Sequence, residues 1–452
     1  MRNAFLIAST GSGCGKTTIT CALLSAIKNR NVTLKSFKCG PDYIDPMFHK
    51  TVLGIESQNL DLFFSSDEEL ERIFYDKNSA DVSVVEGVMG LYDGILPSSN
   101  EGSSYELACK LDIPVFLVVN AHGMGRSLIA VIKGFLEMDT EQKIRAVILN
   151  QISPMYYETI SKQIESELGV EVLGYFPKVE DINLESRYLG LKMPNEIEQI
   201  DDNIKKAEKI ISETVDIDKM LQISAIDRVA KDLSEIESDV KATVRIGVAR
   251  DEAFCFFYEE NLKLLKKLGA EIIEFSPIHD KVIPDNLDGL LLGGGYPELY
   301  ADKLSSNISM LASIKNAINS GMPSLSECGG FMYLHDSICV DGIEYPMVGV
   351  IEGTCSKKEK LVRFGYLTIS ENADRFISSG CKDIKGHEFH YYDSSNNGED
   401  GTSVKPKGNR SWKSAHISAN HWWGFAHLYY QSNVGFAEAF IDKCVNWRNI
   451  NE

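Results

Sequence analysis

Residues 10–18 read TGSGCGKTT and come one residue after the apolar run of residues 4–8. The order is therefore a strand, a glycine-rich turn and a helix that opens at Lys16. This order is typical of a phosphate-binding loop, whose glycines let backbone N–H groups wrap phosphates. The strict pattern has glycine where Thr10 stands, but the three glycines that follow still supply permissive backbone. We predict that Lys16 contacts the terminal phosphates of ATP and that Thr17 holds magnesium. The alternative is a glycine turn before an ordinary helix.

Short β-rich runs recur along the chain, with helical patterns between several of them. The first set covers residues 3–9, 32–37, 82–86, 114–119 and 145–150. This rhythm predicts an α/β fold with a doubly wound parallel sheet. Strand signals resume at residues 244–249, 271–275, 289–292 and 322–325, which predicts a second α/β domain.

Two stretches differ from this rhythm. Residues 195–241 carry many charged side chains with spaced Ile, Leu and Val, and they predict one or two solvated helices that join the domains. Residues 393–414 are rich in Ser, Asn, Gly and Lys and predict a surface loop. The expected organisation is an ATP- and substrate-binding domain over residues 1–194, a helical linker over 195–243 and a second domain over 244–445.

Composition limits the classes of function. The 452 residues carry 65 acidic and 46 basic side chains, a formal net charge of -19, which argues against nonspecific attraction to nucleic acid or to an anionic membrane. No apolar run approaches the roughly 20 residues that span a bilayer. With no signal peptide in the sequence, a cytoplasmic location is expected. The ten cysteines show no C-x-x-C spacing, which indicates reduced thiols.

A second motif, Ser-Glu-Cys-Gly-Gly over residues 326–330, follows a short apolar run and precedes a helix pattern. Small residues on a tight turn between strand and helix are typical of a nucleophile elbow, which holds the Cys328 thiol near helix amides that favour the thiolate. A packed structural cysteine is the alternative. Such a nucleophile needs a base, and we predict His427, with His387 and His390 as rivals.

Residues 293–298 read GGGYPE and follow the strand predicted at 289–292. We predict that the backbone N–H groups of Gly294 and Gly295 form an oxyanion hole. A second nucleotide loop is the alternative, although no Lys-Ser/Thr pair follows it.

Polar residues near strand ends complete the candidates in the first domain. Residues 38–46 read KCGPDYIDP after the second strand, where open α/β sheets present ligand-contacting loops. A plain turn with solvated acids is the alternative. Glu86 ends the third strand, where a carboxylate is well placed for magnesium. Asn150 ends the fifth, and its amide either reads a base edge or caps the strand.

Together these motifs resemble the cobyrinic acid a,c-diamide synthase family of cobalamin biosynthesis. That family joins a half like dethiobiotin synthetase to a class I glutamine amidotransferase half of the cobyric acid synthase type. The similarity covers nearly the whole chain, through TGSGCGKTT at 10–18, FKCGPDYIDPMFH at 37–49, NLD at 59–61, EGVMGLYDG at 86–94, RYLGL at 187–191, GGGYPE at 293–298, ECGGFMYL at 327–334 and GHEFHY at 386–391. Two positions depart from the family: Tyr429 stands where a triad glutamate would follow His427, and Tyr188 replaces a histidine.

The resemblance implies ATP-dependent amidation of the a and c acetate groups of cobyrinate, with glutamine as nitrogen donor. Each carboxylate would become an acyl phosphate, which ammonia released at Cys328 would attack. The alternative within this class is a nickel-sirohydrochlorin a,c-diamide synthase, which differs in the macrocycle. From a different class, a nucleotide-switched binding protein with a degenerate glutaminase domain is opposed by the intact Cys328 and Lys16.

The resemblance also implies a role for each candidate residue. Cys328 is the expected nucleophile and His427 its base. The expected nucleotide-binding residues are Gly13, Gly15, Lys16, Thr17, Thr18 and Asn150; the substrate and acyl-phosphate residues are Lys38, Asp42, Tyr43, Asp45 and Asp93; the magnesium ligands are Thr17, Asp45 and Glu86. Mg²⁺ is the expected cofactor, with ATP and glutamine as co-substrates. The expected partners are the corrinoid and a second copy of the chain in a homodimer, with no nucleic acid and no membrane.

Overall fold

The computed structural model describes residues 2–75, 80–179, 182, 186–187, 190–191, 200–226, 243–377 and 380–451. The chain forms two compact units, Met1–Leu233 and Ser234–Glu452. Both are α/β, which confirms the predicted fold class. The domain boundaries inferred from the sequence stay predictions.

The strands of the first unit are β1 (Arg2–Ser9), β2 (Leu34–Cys39), β3 (Ser57–Leu60), β4 (Val82–Glu86), β5 (Val115–Asn120), β6 (Ile144–Asn150), β7 (Glu171–Phe176), β8 (Ser186–Arg187), β9 (Gly190–Leu191) and β10 (Ala225–Ile226). Its main sheet has the parallel strand order β3-β2-β4-β1-β5-β6-β7, and β8 and β9 pair separately with each other. Its helices are α1 (Lys16–Lys28), α2 (Ile44–Thr51), α3 (Asp67–Phe74), α4 (Ser104–Leu111), α5 (Ser127–Met138), α6 (Pro154–Leu168), α7 (Ile200–Thr214) and α8 (Ile217–Ile223).

The central strands are apolar because both of their faces are covered. All five residues of β4 are buried, and β1 is buried from Ala4 to its end at Ser9. Parallel sheets of this kind give continuous apolar runs in the sequence, which is why these strands were predictable. The carboxyl ends of β1, β2, β4 and β6 present the phosphate loop, the KCGPDYIDP loop, Glu86 and Asn150, so the sheet brings the predicted residues to one edge.

The segment predicted as a helical linker contributes to the first unit. Helix α7 buries Ile204, Ala207 and Ile211, one apolar stripe at helical spacing, and it packs against α1 and β7. Strand β10 pairs antiparallel with the start of β1. In the RYLGL motif, Tyr188 and residue 189 lie outside the described residues, and the structure describes only the backbone of Arg187.

The second unit has a main sheet in the order β12-β11-β13-β14-β24-β23, parallel except for β23. Its strands are β11 (Val244–Ala249), β12 (Ala270–Phe275), β13 (Gly289–Leu292), β14 (Ser324–Glu327), β15 (His335–Val340), β16 (Ile343–Pro346), β17 (Ile351–Lys357), β18 (Arg363–Glu371), β19 (Asp383–His390), β20 (Tyr392–Ser394), β21 (Gly401–Val404), β22 (Ser411–Ser414), β23 (His416–Ile417), β24 (His421–Gly424) and β25 (His427–Leu428). Its helices are α9 (Glu259–Lys267), α10 (Ala301–Ser306), α11 (Ile308–Asn319), α12 (Gly329–Tyr333) and α13 (Val434–Asn451).

Two further sheets of this unit correct the sequence-based picture. They run β16-β15-β17-β20 and β22-β21-β18-β19-β25. The surface loop predicted over residues 393–414 is wrong, because β21 and β22 form an antiparallel hairpin there. Ser403 is fully buried, and its hydroxyl lies 2.8 Å from the hydroxyl of Ser414. Small polar side chains that hydrogen-bond to each other thus occupy positions where a buried strand usually has apolar residues.

Within the described ranges, no helix combines the length and the apolar character needed to cross a bilayer. All ten cysteines are described and free of disulfides.

Candidate active sites

The phosphate loop has left-handed backbone at two glycines, Gly13 with φ of 74° and Gly15 with φ of 89°. A methyl group on Gly15 would lie 2.2 Å from the Asn150 amide nitrogen, so the close approach of β6 also requires glycine there. That amide donates a hydrogen bond of 2.8 Å to the carbonyl of Cys14. Asn150 therefore holds the loop against the sheet, while its predicted contact with a nucleotide base stays a prediction.

Lys16 opens α1 with its side chain buried across the loop. The ammonium group donates to the hydroxyl of Ser9 at 3.0 Å and to the carbonyl of Met89. Burial lowers the pKa of Lys16, and the nearby Lys38 charge lowers it further. A cation held in this way gains from the arrival of a polyanion such as ATP.

A buried charged cluster lies beside the loop, at the ends of β2 and β4. The Thr17 hydroxyl donates to Oε1 of Glu86 at 2.7 Å, and the Lys38 ammonium donates to the same oxygen at 3.1 Å. Lys38 also pairs with Asp45. Four residues predicted from the sequence, Thr17, Lys38, Asp45 and Glu86, are thus brought into one contact network.

The charges in this cluster are unequal. Burial by itself would lower the pKa of Lys38, but the carboxylates of Asp45 and Glu86 outweigh it and raise that pKa. Burial would raise the pKa of Glu86, but Lys38 and the contact with His49 hold it well below its usual range. Burial and the Glu86 charge raise the pKa of Asp45. Of the two carboxyl groups beside Lys38, Glu86 is therefore the more acidic one.

His49 is a member of this cluster to which the sequence analysis gave no role. Its Nε2 lies 3.3 Å from Oε2 of Glu86, its Nδ1 lies 3.4 Å from the Ser57 hydroxyl, and its side chain is fully buried. The signal was present in the sequence, because His49 follows Asp45 by four positions and α2 presents both on one side.

Other predicted residues shape the loops around the cluster. Asp42 accepts a 2.8 Å hydrogen bond from the backbone N–H of Ile44, and Asp93 accepts one of 2.9 Å from that of Gly90. The Asn59 amide donates to the carbonyl of Asp42 at 2.7 Å, a contact that the sequence analysis did not foresee. Tyr43 and Thr18 are half-buried, and their substrate and nucleotide roles stay predictions.

In the second unit, Cys328 stands on a strained turn between β14 and α12. Its φ of 46° and ψ of -103° lie where side-chain-bearing residues are rarely found. The turn is held by a 2.9 Å hydrogen bond from the Cys328 N–H to the carbonyl of Gly424. A methyl group on Gly330 would lie 2.2 Å from the carbonyl oxygen of Leu292, so α12 packs too closely on β13 for any residue but glycine.

The thiol itself differs from the sequence-based expectation. Burial raises the pKa of Cys328 far above its ordinary value, and the charges of Glu298 and Glu388 add to that effect. The Gly329 N–H at the helix start opposes the shift but does not offset it. The nucleophile is therefore held as a thiol and needs a base to remove its proton.

His427 has the properties of such a base. It begins β25, which pairs with β19 so that His427 stands opposite His387. Burial, with a smaller effect from His390, lowers the pKa of His427 to about 3, so the imidazole is neutral at rest. The rival His390 directs its Nδ1 to the carbonyl of Tyr392 at 2.6 Å and stacks on Phe425.

The glycine loop packs on His427 and on Gly329, the residue that follows the nucleophile. A methyl group on Gly294 would lie 2.2 Å from Cε1 of His427, and one on Gly329, next to the nucleophile, would lie 3.0 Å from the backbone nitrogen of Gly295. Gly295 has φ of 154°. The structure thus joins the predicted oxyanion loop, nucleophile turn and base in one site.

Replacing Gly294 with alanine is expected to lower kcat for glutamine hydrolysis roughly tenfold to a hundredfold, because the new methyl group must push His427 aside. The rate of glutamate release checks this. Gly134→Ala, where a methyl group meets no atom within 4 Å, is the control. A Gly294→Ala enzyme with normal glutaminase activity would contradict the close packing.

Comparison with known proteins agrees with this division of sites. Residues 5–190 match the CobQ/CobB/MinD/ParA nucleotide binding domain, and residues 245–432 match the CobB/CobQ-like glutamine amidotransferase domain. A cobyrinate a,c-diamide synthase of Caldanaerobacter subterraneus subsp. tengcongensis is 38% identical, covering 98% of this chain and 99% of its own. Those of Priestia megaterium and Thermoplasma volcanium are 37% and 36% identical, covering 97% and 99% of this chain and 96% and 98% of their own.

The chain belongs to the cobyrinate a,c-diamide synthase family. It is therefore a glutamine-hydrolysing ligase, and the resemblance found in the sequence is confirmed. The glutamine-dependent amidation expected of the chain, in cobalamin biosynthesis, is confirmed at the level of this family. ATP and glutamine as co-substrates follow from its two domains.

Proposed function

We propose that this member of the family amidates the a and c carboxylates of cobyrinate, with ATP as energy source and glutamine as nitrogen donor. One observation carries the proposal: a single chain holds a phosphate loop beside the buried Glu86 and a cysteine elbow beside His427. Full-length relatives of that name support the choice of substrate.

The second unit would supply the nitrogen. His427 takes the proton of the Cys328 thiol, and the sulfur attacks the side-chain amide carbon of glutamine. Negative charge then develops on the amide oxygen, where the N–H groups of Gly294 and Gly295 would stabilise it. Collapse of this intermediate, with the proton returned by His427, releases ammonia and leaves a thioester, which water hydrolyses to glutamate.

The first unit would consume the ammonia. A carboxylate is a poor electrophile, so it must first become a better one. Transfer of the terminal phosphoryl group of ATP to a carboxylate oxygen gives an acyl phosphate and ADP. Ammonia attacks the acyl carbon and phosphate leaves, which forms the amide. Lys16 would balance the charge on the transferred phosphoryl group.

The residues present fit a magnesium ion. Mg²⁺ prefers oxygen ligands and keeps several waters or phosphate oxygens. The Thr17 hydroxyl and Glu86 offer such oxygens in contact with each other, and the second oxygen of Glu86, Oε2, lies 3.3 Å from Nε2 of His49. In the described ranges no cluster of three or more His, Cys, Asp or Glu side chains could hold a metal alone, so phosphates would complete the site. The ion would draw charge from the phosphates.

Lys38 and Asp45 would serve the substrate end of this site. Both are buried beside Glu86, and Lys38 is the cation that a substrate carboxylate or a phosphoryl group would pair with. Thr17 and Glu86 contact each other directly, so among the three residues expected at magnesium these two have the stronger support.

We expect Glu86→Gln to lower ATP-dependent amidation about a hundredfold, because the carboxylate that contacts both Thr17 and Lys38 is lost while its shape is nearly kept. Asp45→Asn should lose most turnover or stall at the monoamide. Chromatography of the corrinoid products measures both effects. Glutamine hydrolysis at Cys328 and thermal unfolding serve as controls. Full diamide formation by both variants would refute the placement.

The proposed substrate can be tested directly. The protein is incubated with ATP, glutamine and either cobyrinic acid or nickel-sirohydrochlorin, and the products are weighed by mass spectrometry. Conversion of cobyrinic acid to its diamide is the expected result. Conversion of the nickel macrocycle alone would overturn the choice of substrate within the same chemistry.

A further inference from the structure

Glu327, the residue immediately before the nucleophile, faces the base of the glutaminase site. It ends β14, and its carboxylate Oε2 lies 4.0 Å from Nδ1 of His427. Both side chains are buried, with residue exposures of 7% for Glu327 and 4% for His427. The strand that leads into the nucleophile turn therefore also places the acid Glu327 near His427.

The orientation of this carboxyl group is fixed by its other oxygen. The hydroxyl of Tyr430 donates a 2.9 Å hydrogen bond to Oε1 of Glu327. Tyr430 is held in turn by Asn261 of α9, whose Oδ1 accepts from the Tyr430 N–H at 2.8 Å and whose amide donates to the carbonyl of Leu428 at 2.7 Å. The carboxyl group also takes a hydrogen bond from the backbone of Leu428, and with these contacts its Oε2 lies on the side of His427.

The position where the family resemblance places an acid holds Tyr429 instead. Its ring packs edge-on against Tyr258, with the ring centroids 5.7 Å apart, and its N–H donates to the carbonyl of Lys385. Glu388, another buried acid of this unit, lies 4.0 Å from Nε2 of His390. Glu327 is the acid that lies 4.0 Å from Nδ1 of His427.

We propose that Glu327 is the positioning residue of His427. It would replace the missing acid of the triad, from a position just before the nucleophile in the sequence instead of just after the base. The inference rests on the proposed glutaminase role of Cys328 and His427. A carboxyl group at Nδ1 favours the ring orientation and tautomer in which the other nitrogen is free to accept a proton. It also stabilises the imidazolium that forms when Cys328 is deprotonated.

The charges of the pair agree with this role. Burial raises the pKa of Glu327 to about 8, although the Tyr430 hydroxyl opposes the shift, and burial lowers that of His427 to about 3. The resting pair therefore has no net charge at neutral pH, which avoids the cost of a buried ion. A positive charge on His427 would lower the pKa of Glu327 and favour its carboxylate, so attraction strengthens when the base is protonated.

The test compares Glu327→Gln with Glu371→Gln, since Glu371 is equally buried in the same unit but caps the backbone of Phe376 and Ile377. Glutamine hydrolysis gives kcat and KM. The rate at which iodoacetamide alkylates Cys328, followed on its peptide by mass spectrometry, reports the cysteine–histidine pair without substrate. The alkylation rate is measured for four proteins: those with Glu327 or Glu327→Gln, each with His427 intact and with His427→Ala.

We expect Glu327→Gln to lower kcat about tenfold or more with KM nearly unchanged, and to slow alkylation of Cys328. In the His427→Ala background the same change should have almost no further effect, because its target is gone. Glu371→Gln should leave kcat within about twofold of the value for the unmutated protein. That change is well below the contribution that a general base makes to the rate. A normal kcat for Glu327→Gln, or an equal loss of alkylation rate in both backgrounds, would overturn the proposal.

Two further measurements keep the result decisive. If Glu327→Gln does not fold, Tyr430→Phe removes the hydrogen bond that orients the carboxyl group and should lower kcat less but in the same direction; an unchanged kcat there counts against the proposal. Cys328→Ala separates the two ideas. If that variant still hydrolyses glutamine, the glutaminase assignment fails; if it does not, while Glu327→Gln is fully active, only the role of Glu327 fails.

Discussion

Replacing Cys328 with alanine is expected to abolish glutamine-dependent amidation, by roughly a thousandfold or more, while amidation with added ammonium salt continues. The sulfur is the atom that forms the thioester, and no other group in the turn replaces it. Only the nitrogen supply is cut, because the phosphate loop and the Glu86 cluster belong to the other unit. Formation of the diamide from glutamine and from ammonium chloride, measured side by side, checks the prediction.

Cys339→Ala is a suitable control for this experiment. Cys339 is a half-buried cysteine on β15 of the same unit and has no contact that the mechanism uses. It should retain both activities. Loss of both activities in a folded Cys328→Ala protein would contradict the assignment of separate nitrogen-releasing and nitrogen-using sites.

Lys16→Ala is expected to lower amidation about a hundredfold to a thousandfold with either nitrogen source. The ammonium group is the cation of the phosphate loop, and its loss leaves the charge of the transferred phosphoryl group unbalanced. Glutamine hydrolysis without ATP should persist, because Cys328 and His427 are untouched. ADP release and diamide formation measure the effect.

Lys28→Ala provides the matched control, since Lys28 lies in the last turn of the same helix and contacts the carbonyl of Leu53. It should keep near-normal synthetase rates. If Lys16→Ala also kept near-normal rates with ammonium, the phosphate loop would be misassigned.

The parts of the fold that the sequence predicted are those with a local signal. The strands at 82–86, 244–249 and 289–292 match the observed bounds, because a short run of apolar residues reports burial on both faces. The turns at Gly15 and Cys328 were predictable because small residues mark strained backbone. Both features depend only on neighbours in the chain.

The features that escaped prediction depend on distant contacts. The hairpin of β21 and β22 is stabilised by cross-strand pairing of polar residues. A polar composition by itself predicts a loop. His49 and Glu327 were both inside recognised motifs, but their partners, Glu86 and His427, are many residues away. The raised pKa of Cys328 is a result of burial, which no local pattern reports.

The pairing of β10 with β1 has a consequence for how the first unit is made and handled. The Asn3 side chain donates to the hydroxyl of Ser224 at 3.3 Å, across 221 positions of sequence, and α1 packs on α7. A nascent chain can complete this unit only after the first half of the whole chain has left the ribosome, because β1 pairs with β10, which is synthesised much later. An expression fragment that ends at residue 194 would expose the apolar face of α1 and invite aggregation, whereas one extended past residue 226 keeps the unit whole.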